Sequence, residues 1–248
     1  MRAIEFYSHK GGQAFIKQHH QNELDEVIAA IESTDAVKCL RKISKEKRKG
    51  LIFHPATLNV AIKTYLHPLG WTEKATSKNS KKGFKEPRIT FGQGAFREMD
   101  GIKNQVGLEI QFGKYAFMGY DIFSKMPIFA KRKRIECGIE VVAVADLVKE
   151  MSTGVSSFKQ IILDMGERGV ADLDIPTLVV GIGLTDKEEK GCAQKRLRFT
   201  ANREKMIAAG DVARPGKGSS PGPKGAESIF EEAEKEEEAE EEADSEQI

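Results

Sequence analysis

The chain has 248 residues, 40% of them apolar, which is enough to bury one substantial core and obliges no second one. No stretch approaches the apolar run needed to span a bilayer, and MRAIEFYSHK lacks the plan of a signal peptide, so a cytoplasmic protein without membrane association is expected. The formal net charge of +1 hides a division: residues 225–248 hold twelve acids and one lysine, net −11, while residues 1–224 hold 38 bases against 26 acids, net +12, a surplus that favours a polyanionic partner.

Along the chain, QNELDEVIAAIES places Leu24, Val27, Ile28 and Ile31 at helical spacing, with acids near its start as the helix dipole prefers. DAVKCLRKISKEK follows as a second predicted helix with Asp35 as its cap. Pro55 suits the first turn of PATLNVAIKTYL, and Pro68 with Gly70 ends that helix. Residues 72–88 read as a basic loop, either wrapping a phosphate backbone or merely mobile. Strands are predicted around 104–112, 135–144 and 176–182, separated by helices at 114–130, 145–151 and 156–167, and this alternation implies a mixed sheet covered on both faces.

GIGLTDKEEKG is superficially like a glycine-rich nucleotide loop, but it lacks the third glycine, a following helix and the later acid, so it reads as a strand ending in a turn. There is no GxxxxGK[ST], and no nucleotide cofactor is expected. Cys39, Cys137 and Cys192 are widely spaced without a CxxC pair, which suggests neither a zinc site nor a disulfide framework. The five histidines lie far in sequence from the acids described next and receive no catalytic role. DVARPGKGSSPGPKG at 211–225 reads as a flexible linker, and the acidic segment 226–248 as a disordered tail.

The segment DGIKNQVGLEIQFGKYAF carries the chemistry: Asp100, eight residues, Glu109, one residue, Gln111. Side chains alternate along a strand, so Glu109 and Gln111 point one way while Ile110 and Phe112 point into a core. Asp100, at the end of the preceding strand or turn, can converge on Glu109. Two clustered carboxylates repel unless something positive joins them, and a divalent metal both relieves the repulsion and activates water. Spacing alone is a weak signal, since a strand with a solvated polar face shows it too.

The run KNQVGLEIQFGKYAFMGYDIF, then IECGIEVV, KEMSTGVSS and IPTLVVGIG, resembles the BglII/BstYI-type restriction endonucleases, a branch of the PD-(D/E)XK nucleases. Upstream, IEFYSHKGG, DAVKCLRKISKEK and LNVAIKTYLHPLGW resemble the same group, so the similarity spans about residues 3 to 184 in the same order. The resemblance implies an α/β restriction-endonuclease-like fold, a central mixed sheet flanked by helices with the metal site at one end and a helical layer that pairs two subunits. It also implies that Asp100, Glu109 and the backbone carbonyl of Ile110 bind Mg2+, with Mn2+ as a substitute, for attack by an activated water on phosphorus. Gln111 stands where most nucleases of the superfamily have lysine. Glutamine carries no charge and exchanges no proton near neutral pH, so its role is to orient the attacking water.

Other residues carry two readings each. Lys103 serves a phosphate or is simply solvated. Lys114 and the loop residues Ser152, Thr153, Ser156 and Ser157 match positions that lie at the DNA in the resembling enzymes, although serines before FKQIILDM also suit a helix cap, Ser156 in particular. KRKR at 131–134 is a solvated run or a phosphate contact. Tyr115, Phe117, Met118, Ile122 and Phe123 belong to the core or to a subunit interface.

The expected function is that of a type II restriction endonuclease: cleavage of double-stranded DNA at a palindromic, GATC-centred site of the RGATCY type, leaving 5′-phosphate ends with GATC overhangs. Cutting both strands of a palindrome requires two sites about a twofold axis, hence a homodimer, and host protection requires a companion DNA methyltransferase. The alternatives are a structure-specific repair or recombination nuclease and a DNA-binding protein that does not cleave. Residues 1–210 would form the catalytic and DNA-binding domain, followed by the linker and the tail. The tail either solubilises the protein or competes with DNA for the basic domain. Deleting residues 226–248 separates these: non-specific affinity at low salt is unchanged in the first case and rises in the second, as read by filter binding or anisotropy.

Overall fold

CGIEVVA and TLVVGIG are apolar at nearly every position, the pattern of strands covered on both faces, and they form the centre of the molecule. The computed structural model describes residues 1–44, 50–74, 83–152, 154–155 and 157–213. The N-terminal part runs β1 (Arg2–His9), α1 (Gly12–His19), α2 (Gln21–Ser33), β2 (Arg41–Ile43), β3 (Leu51–Phe53) and α3 (Pro55–Leu66). The middle runs β4 (Glu73–Lys74), β5 (Phe84–Lys85), β6 (Arg88–Thr90), β7 (Phe96–Glu98), β8 (Gly101–Lys103), β9 (Val106–Gln111), α4 (Tyr115–Tyr120) and α5 (Met126–Lys131). Then come β10 (Cys137–Ala143), α6 (Ala145–Lys149), α7 (Phe158–Arg168), β11 (Thr177–Gly183), α8 (Asp186–Ala208) and β12 (Val212–Ala213).

The main sheet has the order β1, β11, β10, β9, β8. Its three central strands are parallel, and the outer β1 and β8 run antiparallel to their neighbours, so the sheet is mixed as expected. On one face Leu108, Ile110, Val141 and Val180 pack with Ile16, Val27, Ile31 and Leu58 from α1, α2 and α3. On the other, Val142 and Val179 pack with Met118, Ile122, Phe158 and Ile161. Glu140 shares the face of Val142 by the two-residue period, and Glu109 is its register partner on β9. Two acids are thereby fixed side by side beneath the helical layer of α4 and α5.

The hairpin β8–β9 sets the spacing of the acid pair. Lys103 pairs with Val106 and Gly101 with Leu108, and the turn is Asn104 and Gln105, both at positive φ (45° and 65°). That is the two-residue turn whose twist matches the flanking strands, and asparagine is well suited to it. Continuing the register by one step sets Asp100 opposite Glu109, so the eight residues between them are two three-residue arms and a two-residue turn.

Several expectations are corrected. The second helix expected over DAVKCLRKISKEK is not formed: Asp35 opens a turn, accepting from Val37 N–H through its side chain, and residues 41–43 are strand. Long-range pairing overrides local helix preference here, because Arg41 is fully buried with its guanidinium 3.3 Å from the centre of the Phe53 ring on the paired strand. The strand expected from 104 starts at Val106, since 104–105 is the turn. A helix does follow GIGLT: Thr185 and Glu188 form a capping box for α8. Within 72–88 a short pairing of β4 with β5 frames the loop. The expectations for residues 45–49, 75–82, Thr153, Ser156 and the linker and tail beyond 213 lie outside the described residues. Among the described residues no helix is long and apolar enough to cross a membrane.

Gly12, at the start of α1, lies so close to the backbone of Thr177 on β11 that a methyl group there would overlap it. Gly12→Ala is expected to destabilise the fold by about 3 kcal/mol, the scale of forced overpacking, in urea unfolding. A change within about 0.5 kcal/mol would contradict this contact.

Candidate active site

Asp100 and Glu109 face each other at the end of the hairpin, in a cleft that α3 borders on one side and the start of α4 and α5 on the other. The cleft is lined by five acids (Glu86, Glu98, Asp100, Glu109 and Asp121) and two lysines, Lys63 and Lys125. Asp100 Oδ1 lies 2.9 Å from Lys63 Nζ, and its Oδ2 accepts from the Ile110 N–H at 2.8 Å. Lys63 also donates to Glu86 at 3.0 Å. A residue's N–H and C=O face the same edge of a strand, so the Ile110 carbonyl points to the edge where Asp100 stands.

On the other side Lys125 Nζ lies 2.6 Å from Asp121 Oδ1 and 3.1 Å from Glu109 Oε1. Both contacts are ion pairs, and Glu109 Oε1 is buried without a hydrogen bond. Gln111 is held at both ends of its amide: Nε2 donates to Asp121 Oδ2 at 3.3 Å and Oε1 accepts from the Gly113 N–H at 2.7 Å. Beneath them Glu140 is 0% exposed, and neither of its oxygens has a hydrogen bond.

Four carboxyls gathered around Lys125, three of them buried and Asp100 part-buried, cannot all ionise without compensating charge. Burial, with Asp121 and Glu109 adding to it, holds Glu140 well above the ordinary carboxylate range. Burial likewise raises Glu109 well above its usual value; Lys125 opposes it, and Asp121 and Asp100 add to it. Asp121 is raised by burial against the pull of Lys125. Asp100 goes the other way, since Lys63, Lys125 and the Ile110 N–H outweigh its burial and lower it. For Lys125 burial disfavours the charge, but Asp121 and Glu109 overcome it and keep the ammonium protonated.

The donor set suits a hard divalent cation: two carboxylates, an adjacent backbone carbonyl and an unbonded buried carboxylate oxygen, all oxygen and more negative than the lysines offset. Among the described residues no three His, Cys, Asp or Glu side chains converge on one point, so the protein would supply two acids and leave the remaining positions to other oxygens.

The other residues singled out from the sequence are distributed as follows. Lys103 binds both oxygens of Glu26 on α2, at 2.6 and 2.7 Å, and does not line the cleft. Lys114 precedes α4 and bridges Val155, while Tyr115 N–H donates to Gly154 C=O, so Gly154 and Val155 are held against the start of α4. The cap of α7 is Ser157, whose hydroxyl accepts from Gln160 N–H. Met118 and Ile122 are core residues, and Tyr115 and Phe123 pack against them. Lys63, Glu86, Asp121, Lys125 and Glu140 were missed. Asp121 and Lys125 were readable as an i, i+4 pair in YDIFSK, and Glu140 as the one acid in an apolar strand, GIEVV.

A family model of the restriction endonucleases BglII/BglIII matches residues 4–182. The chain belongs to that family. It is a type II site-specific nuclease, and restriction endonucleases of this kind generally use divalent metal ions. The fold is similar to the crystal structure of restriction endonuclease BglII complexed with a DNA 16-mer, at 17% identity and a TM-score of 0.54 over 73% of this chain and 78% of that one. Free BglII is 18% identical, with a TM-score of 0.48 over 73% and 79% of the two chains. No curated protein matches the enzyme.

Glu140 provides a test of the electrostatics. Its pKa is raised in the folded protein, so the folded state keeps a proton that the unfolded chain has released, and stability falls as pH rises through that window. In chelator-treated enzyme, Glu140→Gln is expected to lose less stability than the wild type between pH 5 and pH 8, measured by urea unfolding. Parallel pH profiles for the two proteins would refute the assignment.

Proposed function

We propose that the enzyme cleaves double-stranded DNA in a Mg2+-dependent reaction, with Mn2+ as a substitute. The target is a palindromic, GATC-centred site of the RGATCY type, cut to leave 5′-phosphate ends with GATC overhangs. The observation that carries the reading is the facing pair Asp100 and Glu109 in a cleft rich in acids, with the buried Glu109 Oε1 left without a hydrogen bond. The family model supports the reaction class, and the DNA carried by the BglII crystal structure supports DNA as the partner. The GATC centre and the overhang rest on the resemblance in the motif segment; members of the group differ in the outer base pair.

In this reading Asp100, Glu109 and the Ile110 carbonyl hold the cation, and Lys63 fixes Asp100. A bound divalent cation supplies positive charge against the developing phosphoryl charge and lowers the pKa of a water. Gln111, tethered by Asp121 and Gly113, keeps one amide hydrogen and one lone pair with which to orient that water. Lys114 and the Ser152–Ser157 loop, Thr153 and Ser156 included, contact the DNA. Ser157 retains a free lone pair beyond its capping bonds. Lys103, engaged by Glu26, reaches a phosphate only after leaving that pair.

Two copies related by a twofold axis place one such site on each strand, and a companion methyltransferase protects the host DNA. Residues 1–210 form the catalytic and DNA-binding domain, 211–225 the linker and 226–248 the acidic tail.

Incubation with plasmid DNA and Mg2+ is expected to give discrete fragments whose ends map to one GATC-centred sequence. Smears or structure-dependent nicks would favour a repair nuclease, and intact DNA a binding protein. Asp100→Ala and Glu109→Ala are expected to lower single-turnover cleavage by at least about 10²-fold while leaving duplex binding in place. Normal cleavage by either variant would remove the assignment.

A further inference from the structure

Gln111 cannot carry charge, yet charge accumulates on the phosphoryl oxygens during in-line displacement and needs fixed cations nearby. The cleft holds two lysines, and they are not equivalent. Lys63 is tied down by two hydrogen bonds, to Asp100 at 2.9 Å and to Glu86 at 3.0 Å. Lys125 is held by ion pairs, closer to Asp121 Oδ1 at 2.6 Å than to Glu109 Oε1 at 3.1 Å.

The backbone carrying Lys125 is also unusual. Residues Asp121–Lys125 form a π-turn between α4 and α5, and a widened turn of this kind is found frequently at functional sites. It sets Asp121 and Lys125 over the row of Glu109 and Glu140, and Asp121 holds the amide of Gln111 with its other oxygen. One acid therefore positions both the ammonium and the water-orienting amide.

We propose that Lys125 is an exchangeable cation of the active site: it occupies Glu109 in the metal-free enzyme, and gives up Glu109 but keeps Asp121 when the cation binds, turning its ammonium to the scissile phosphate. This rests on the reading of Asp100 and Glu109 as the metal pair. It assigns Lys125 opposite effects on two measurable quantities. In the ground state the ammonium competes with the metal for Glu109. In the transition state it stabilises the phosphoryl charge.

The test uses Lys125→Met, which keeps the length of the side chain and removes its charge. Mn2+ binding is followed by the EPR signal of the free ion, and cleavage by single turnover at saturating Mn2+. Relative to wild type, Mn2+ affinity is expected to rise about tenfold and cleavage to fall about 10²-fold, the scale of removing one electrostatic stabiliser. A purely structural lysine would weaken both. Unchanged or weaker Mn2+ binding overturns the proposal, and so does tighter binding with unchanged cleavage. If Lys125→Met does not fold, the double variant Lys125→Met with Asp121→Asn, which removes both charges of the pair, is read by the same criteria. Glu109→Ala runs in parallel: if it still cleaves, the metal-pair reading fails, whereas an inactive Glu109→Ala beside a Lys125→Met that fails the criteria overturns the role of Lys125 alone.

Discussion

Everything at the cleft follows from one electrostatic constraint: Glu109, Asp121 and Glu140 are buried together beside the part-buried Asp100, and protein cations neutralise only part of that charge. A low-dielectric setting makes unpaired charge expensive, so the acids must either keep protons, bind an ammonium or take up a cation. The fold uses the first two. Asp100 is ionised against Lys63, Asp121 is paired with Lys125, and Glu109 and Glu140 are pushed toward their neutral forms. In the proposed reading a divalent cation would relieve that cost, and its binding would be linked to proton release.

The constraint is imposed by backbone geometry and not by flexible side chains. Asp100 is opposite Glu109 because a two-residue turn sets the hairpin register, and Glu140 is beside Glu109 because β9 and β10 are paired in parallel. Strands buried on both faces hold that register firmly, since a slip of one residue would carry Ile110 and Val141 out of the core. A site on such strands keeps its geometry when the cleft is empty or filled, which is the condition for electrostatic stabilisation without reorganisation.

The helical layer completes the site. α4 and α5 are joined by the π-turn that presents Asp121 and Lys125, and the residue before α4, Lys114, bridges Val155 alongside. Chemistry and the loop proposed to contact DNA are therefore coupled through one helix start. A shift there would move Lys114, Gln111 and the Asp121–Lys125 pair together.

Amino-acid order alone was enough for the alternation of helices and strands, the mixed α/β class, the pair Asp100 and Glu109 with Gln111 beside them, and the family. Each is a local signal: period two in LEIQF, period 3.6 in QNELDEVIAAIES, proline and glycine at helix ends. Only the tertiary structure decided that Arg41 sits in a strand, because its burial against Phe53 comes from a distant partner. Likewise Lys63, Glu86, Asp121, Lys125 and Glu140 come from four other elements or connections, and no spacing along the chain says that they meet. Their convergence is set by strand order and helix packing, and so is the excess of acids at the cleft.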